Sequence, residues 1–509
     1  MTQVRNTPDT MSLNKATMTL APFRSFTPLA CRKLFGLTAV GLILSGCAVG
    51  PNYARPSVTT PMAYKEADGW KPAEPSDTAP RADWWALFND PILNDLEAKV
   101  EVNNQNLIAA EAAYRQARAL LDQQRATIFP SVNLTGSATQ AKSAIGSGTT
   151  VGGNTVVASG GKAVDTYTAR LGATWDIDVW GRIRRSIEGA RADAQASAAD
   201  LANAKLSAQV LLAADYIQLR EADEEKRLID LTVKGYADNL RIANNRYAVG
   251  VGARSDVLTA QTQLKSAQAS AVDLLRTRAQ LEHAIAVLTG QPPANLTLAL
   301  APTWSLNMPA VPVSMPSALL ERRPDIAGAE RRVQAANAQI GVQFAGYFPD
   351  LSLSGQYGFT STALSRLFNA ASNSWSIGAT ATQTIFDAGA TSARVRQARA
   401  AYDAAVANYR QTVLTAFQQV EDNIAGLRVL EAEYDLDLAA SQEADEAEKI
   451  VTNQYQAGQV DYTTVVVAQN TALSARRTAI QTARNRMVAL VDLISALGGG
   501  WNDQQIAQK

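Results

Sequence analysis

Four stretches of the chain alternate between apolar and polar residues. From Tyr167 the odd positions read Tyr167, Ala169, Leu171, Ala173, Trp175 and Ile177, and the even ones Thr168, Arg170, Gly172, Thr174 and Asp176. A period of two places the two sets on opposite faces of a strand. From Trp375 the pattern recurs, with Trp375, Ile377, Ala379, Ala381 and Ile385 set against Ser376, Gly378, Thr380, Thr382 and Thr384. Segments 131–139 and 351–359 alternate too, with Leu351, Leu353, Tyr357 and Phe359 on one face. Strands of about ten residues, apolar on one side and small-polar on the other, match the wall of a transmembrane β-barrel. A half-buried soluble sheet would alternate in the same way.

The remaining long stretches carry a helical period. They cover 182–248 and 255–289, then 391–456 and 462–497. Tyr402, Val406, Tyr409, Val413, Ala416 and Val420 are spaced 4, 3, 4, 3 and 4, the seam of a coiled coil. Ala194, Ala198, Leu201, Ala208 and Leu212 take matching places in the first long stretch, interrupted at Lys205. A helix of about 65 residues extends ~100 Å at about 1.5 Å per residue. Shorter helices joined by kinks are the alternative.

The two kinds of element recur because the sequence repeats itself. A shift of 219 aligns Leu107 with Ile326, Glu111 with Glu330, Phe129-Pro130 with Phe348-Pro349, and Gly136 with Gly355. A shift of 208 aligns Gly181 with Gly389, Leu219-Arg220 with Leu427-Arg428, Tyr247 with Tyr455, and Gly250 with Gly458. The chain reads as a duplication, mostly α with transmembrane β. Residues 91–300 form one copy and 301–500 the other, each with a helix, two strands and two long helices. A tail over 47–90 precedes them and a short tail over 501–509 follows. The difference between the shifts falls in Ala141 to Ala163, whose Gly, Ser and Thr content predicts a flexible exposed loop. Gly161-Lys162-Ala163 lacks the glycine spacing and the hydroxyl of a phosphate loop.

The N-terminus assigns a compartment. Arg24, Arg32 and Lys33 precede the apolar stretch Leu34 to Leu44, and Ser45-Gly46-Cys47 follows. About a dozen apolar residues is too short for a bilayer span and has the form of a secretory signal. Cys47 after Leu44-Ser45-Gly46 resembles a bacterial lipobox, which implies removal of residues 1–46 and a covalent lipid on Cys47. A plain signal peptide with an incidental cysteine is the alternative. Ala48 at the next position implies the outer membrane. Without the leader the chain carries 42 Lys and Arg against 46 Asp and Glu, so nothing in its charge suggests a nucleic-acid partner. One acyl-bearing cysteine anchors weakly. Four strands cannot close a barrel either, and an open sheet edge is not tolerated in lipid. If the strands are a barrel wall, several copies must share it.

On the stretches CAVGPNY, WWALFNDPILNDL at 84–96 and ERRPDIAGAERRVQAANAQIGVQFAGYFP at 321–349, the chain resembles the TolC-like outer-membrane factors of the NodT-type lipoprotein branch. The turn motifs RYAVGVGARSDVLTAQ and QYQAGQVDYTTVVVAQ fit as well. The resemblance implies a homotrimer in outer-membrane lipid, its twelve-stranded barrel continuous with a long periplasmic α-helical barrel. It implies a passive exit duct for small molecules, docked on a periplasmic adaptor that is coupled to an inner-membrane pump of the RND type. No cofactor is implied beyond the lipid. Thr168, Thr174, Ser376, Thr380 and Thr382 become candidate lumen-lining residues. Val249, Gly250, Val251, Ala457, Gly458 and Gln459 become candidate adaptor contacts, and the glycines serve equally as helix caps. Asp256 and Asp461 are candidates for a charged aperture. The family's Val-Leu-Asp-Ala in the second turn is replaced by Val465-Val466-Val467-Ala468. That puts Val467 forward as an apolar constriction, with Tyr247 and Tyr455 as further closing candidates.

Other functions fare worse. An envelope hydrolase would depend on the single histidine, His283, and no His/Cys cluster has metal-ligand spacing. A structural coiled-coil lipoprotein leaves the four alternating strands without a purpose. A duct for protein secretion shares the architecture; the lipobox and the Arg322-Arg323-Pro324-Asp325 stretch favour small-molecule efflux.

Overall fold

The computed structural model describes residues 48–61, 63–66, 83–142, 149–151, 154–156, 163–301 and 323–499. The leader, Cys47, Gly161-Lys162 and the tail over 501–509 lie outside the described residues. After a single turn of 3₁₀ helix at Trp84–Phe88, helices α1 (Pro91–Asn103) and α2 (Gln105–Ala126) lead into strand β1 (Ser131–Ala141). The short strands β2 (Thr149–Val151) and β3 (Asn154–Val156) come next, then β4 (Val164–Ile177), α3 (Arg182–Ala248) and α4 (Arg254–Leu288). The second copy supplies α5 (Pro324–Ala345), β5 (Asp350–Ser361), β6 (Asn373–Thr382), α6 (Ala390–Gln456) and α7 (Tyr462–Ala496).

The long helices agree with the sequence period to within a residue at each end, and they are matched in length. α3 and α6 each run 67 residues, α4 and α7 each 35. At about 1.5 Å per residue the longer pair extends ~100 Å without a break. Both start at a glycine in the left-handed region, Gly181 and Gly389. At those starts an aspartate satisfies amides that the helix leaves free: Ile183 N and Arg184 N donate to Asp178, and Thr391 N donates to Asp387. The interruption at Lys205 is resolved by an ion pair, since its Nζ bonds Glu101 on α1.

Strands β1, β4, β5 and β6 form one antiparallel sheet in that order, so the two copies meet at β4 and β5 while β1 and β6 are its free edges. β6 stops at Thr382, short of the Ile385 that the alternation suggested, because its partner β5 begins at Asp350 opposite Thr382. The stretch 141–163, read as a loop, contains the hairpin of β2 and β3. Of the segment expected to be a tail before residue 91, the described residues are instead packed at several points. Val49 N donates to Trp180 O, Asn337 Nδ2 to Pro51 O, and Tyr53 Oη to Glu330. Trp84, Trp85 and Phe88 are buried in the main core.

That core joins α1, α3, α5, α6 and α7 through Leu93, Leu96, Leu212, Tyr216, Ile326, Val333, Tyr409, Val413, Val420, Leu490 and Val491. The seam residues Tyr409, Val413, Ala416 and Val420 are all essentially inaccessible, as the heptad spacing requires. Alongside it, Asp223 on α3 accepts from Arg220 and Arg278, at 2.9 and 2.8 Å, and from Ala301 N. Arg220 also donates to Ala299 O. This buried network fixes the segment that leaves α4 against the helices.

Candidate functional site

Two regions carry functional geometry: the faces of the sheet and the tips of the helical hairpins. In an antiparallel pair, residues directly opposite share a face. The register aligns Ser131, Thr174, Ser354 and Gly378 across all four strands, and next to them Asn133, Gly172, Gln356 and Ser376. Thr380 lies with Ser352 and Asp176, Thr382 with Asp350, and Thr168 with Ser137 and Thr360. All five candidate lining residues therefore occupy one continuous polar face. The opposite face gathers Val132, Leu134, Leu171, Trp175, Leu353, Tyr357, Trp375 and Ile377, and Ile377 is 82% exposed in the isolated protomer.

Aromatic rings mark both ends of this apolar face, as they do at the two interfaces of a membrane barrel. At the helical end Trp175 donates to Ile128 O, and Trp180 stacks on Phe348 with 4.7 Å between ring centroids. Phe129 and Phe386 are exposed there. At the far end Phe359 lies edge-on to Tyr357 and Phe368. Among the described residues no helix is long and apolar enough to cross a membrane.

At the opposite extremity of α3 and α6 the two copies end in the same way. Gly250, at φ +79°, donates to Tyr247 O, and Val251 N donates to Arg246 O. Gly458, at φ +78°, donates to Tyr455 O, and Gln459 N donates to Gln454 O. This double closure leaves the glycine in a left-handed conformation that costs other residues about 1–2 kcal/mol. Val249, Gly250, Val251, Ala457, Gly458 and Gln459 are all exposed, and they form two short loops at the hairpin ends.

The aperture candidates are placed differently from one another. Asp461 caps α7, accepting from Thr464 N and Thr464 Oγ1 at 2.9 Å each, and those bonds hold its carboxyl below the usual range. Asp256 lies in the first turn of α4. Val465 is buried, whereas Val467 projects outward at 61% exposure. Tyr247 is half exposed, but its repeat partner Tyr455 is buried against Tyr462, with 5.2 Å between their rings. Sequence reasoning missed the residue that ties the tips together. Arg246 Nη1 donates to Tyr455 O at 2.8 Å, and its guanidinium sits 4.8 Å from the Tyr455 ring centroid. Around them Ala243, Ala260, Tyr455, Tyr462 and Val465 form a small core separate from the main one, with residues from both copies. Burial raises the Tyr455 hydroxyl above the ordinary phenol range, with Asp256 adding to the effect and Arg246 opposing it.

The family model of the outer membrane efflux protein matches residues 98–291 and again 315–499, once for each copy. The chain belongs to the outer membrane efflux protein family. It is 30% identical to the probable efflux pump outer membrane protein TtgC of Pseudomonas putida, over 93% of this chain and 96% of that one. It is also 30% identical to the pyoverdine export outer membrane protein OpmQ of Pseudomonas aeruginosa, over 94% and 99%. Among solved structures it resembles the outer-membrane channel OprN, at TM-score 0.79 and 32% identity, over 89% of this chain and 100% of that one. The CmeC channel of Campylobacter jejuni shares the fold, at TM-score 0.82 and 24% identity, over 91% and 98%. The four-stranded sheet is thus one protomer's share of a trimeric barrel. This efflux protein spans the outer membrane by its strands and reaches into the periplasm with its helices.

Proposed function

We propose that three copies of this chain form the exit duct of a tripartite efflux system, conducting small molecules passively from a periplasmic adaptor and an inner-membrane pump of the RND type to the exterior. The observation that carries the proposal is the separation of polar and apolar faces through the middle of the sheet by the strand register, with two edges left for neighbours. Closed by three copies, the apolar face meets lipid and the polar face encloses water. The names of the relatives support a small-molecule cargo.

Adaptor docking is assigned to the two exposed tips, at Val249-Gly250-Val251 and Ala457-Gly458-Gln459. Tyr247 and Val467, both exposed on the elements that meet there, are the closing residues favoured by geometry; Asp461 is occupied as a helix cap. A lipid on Cys47 would add an anchor. The next residue, Ala48, packs against Gly181 where the strands give way to helices, so closely that a Cβ at Gly181 would lie 2.6 Å from Ala48 Cα.

The test places a single cysteine at Val251, 66% exposed, and attaches a photoactivatable cross-linker in living cells. Mass spectrometry of a captured periplasmic adaptor supports the assignment, and the pump paired with that adaptor defines the cargo class. Capture of peptidoglycan-bound proteins alone, or an adaptor of a protein-secretion system, overturns it.

A further inference from the structure

On the polar face of the sheet Arg170 stands apart. Its neighbours across the strands are Thr135 on β1 and Gly358 on β5, and Thr168 and Gly172 flank it along β4. The acids of this face, Asp176 and Asp350, lie at the helical end of the strands, and Asp176 is six residues along β4 from Arg170. At about 3.3 Å per residue that is ~20 Å away. Asp165, nearer the other end, belongs to the opposite face and accepts from Gln140. Among the described residues the guanidinium has a neutral partner, Thr360 Oγ1, to which Nη2 donates at 3.1 Å.

The strand opposite leaves space for this side chain. A Cβ at Gly358 would collide with Ala169 O and lie 2.7 Å from both Cα and Cγ of Arg170, so glycine is required by the close approach of the β4 backbone as well as by the arginine that lies across β5 towards Thr360. The charge is held in a set direction over the polar face without being neutralised. Closing the barrel with three protomers repeats it three times at one height. Twelve strands about 4.8 Å apart and tilted by about 40° enclose a backbone cylinder roughly 24 Å across. Each guanidinium is then about one screening length from the axis at physiological salt.

We infer that Arg170 forms a cationic belt midway through the barrel, which attracts carboxylate- or phosphate-bearing solutes into the lumen and disfavours small cations there. The inference rests on the duct reading above, and it makes Arg170 a selectivity-determining residue.

The test uses the full-length trimer in planar bilayers under a KCl gradient. At about 0.1 M mean salt, R170Q should raise the cation-to-anion permeability ratio about two- to fivefold over wild type, and R170K should restore it. Near 1 M, where the screening length falls to about 3 Å, the difference should vanish. Should R170Q fail to assemble, R170C labelled after assembly with a cationic or an anionic thiol reagent asks the same question of one folded channel. The two labels should then shift the reversal potential in opposite directions, with treated wild type as control. Conducting channels whose reversal potential is indifferent to the charge at position 170 overturn the inference alone. Absence of conductance from every variant, wild type and the mouth-opening variant Y247A/V467A included, overturns the duct reading itself.

Discussion

Glu97 is fully buried on α1, and neither of its carboxylate oxygens has a hydrogen-bond partner among the described residues. Burial pushes its carboxyl up from 4.5 to about 9, so the native state keeps a proton that the unfolded chain gives up. The unfolded state therefore gains stability as pH rises from about 4.5 to about 9, and the native protein loses it over the same window. Replacing the carboxyl with an apolar group of similar length removes the cost. E97M should stabilise the protein against heat, little at pH 5 and most at pH 8, the gain being on the order of 3 kcal/mol larger at the higher value and read as a higher midpoint of thermal trimer dissociation. Heating at a fixed scan rate at both pH values checks this, and an equal gain at pH 5 and pH 8 would refute it. Nothing in the sequence singles out Glu97, since one acid on an amphipathic helix normally faces water. Tyr247 and Tyr455 make the same point. They share a place in the repeat, yet one is exposed and the other lies beneath Arg246 and Tyr462.

Most of the element-scale structure was legible, because long helices and alternating strands write strong periods. The two longest helices, α3 and α6, end just before left-handed glycines that were readable in the sequence, Gly250 and Gly458. What could not be read was pairing across the duplication. Arg246 from the first copy reaches Tyr455 in the second, 209 positions away, and no local pattern encodes that contact. A charge-assisted hydrogen bond with a cation–π contact at a partly buried site contributes about 1–3 kcal/mol. R246A should therefore leave the main core intact while loosening the small core of Ala243, Ala260, Tyr455, Tyr462 and Val465. Amide exchange over 240–262 and 451–466 should accelerate by about tenfold or more, with no change over 409–427. Uniform acceleration along α6 would show that Arg246 supports the whole helix instead of its tip.

At the scale of the whole molecule, the alternation along each strand gave two faces but could not say what each one meets; a soluble sheet satisfies it too. The structure decides by joining the strands. Once β1, β4, β5 and β6 are in register, small polar residues fall together, and so do apolar residues bounded by aromatic rings at both ends. Ile377 and Ser376 are neighbours in mid-β6 and belong to opposite faces, so a lysine at each separates lipid from lumen. On a lipid face near mid-depth a lysine costs about 2–4 kcal/mol, and three protomers repeat the cost at each assembled barrel. I377K should sharply reduce heat-resistant trimer in the outer membrane, whereas S376K should assemble at nearly the wild-type level. Quantifying trimer in membrane fractions by semi-native electrophoresis distinguishes them. The converse result would turn the sheet inside out, placing the polar face and Arg170 against lipid, where an unpaired cation could not be held. Equal assembly of both variants would mean that neither face meets the hydrocarbon.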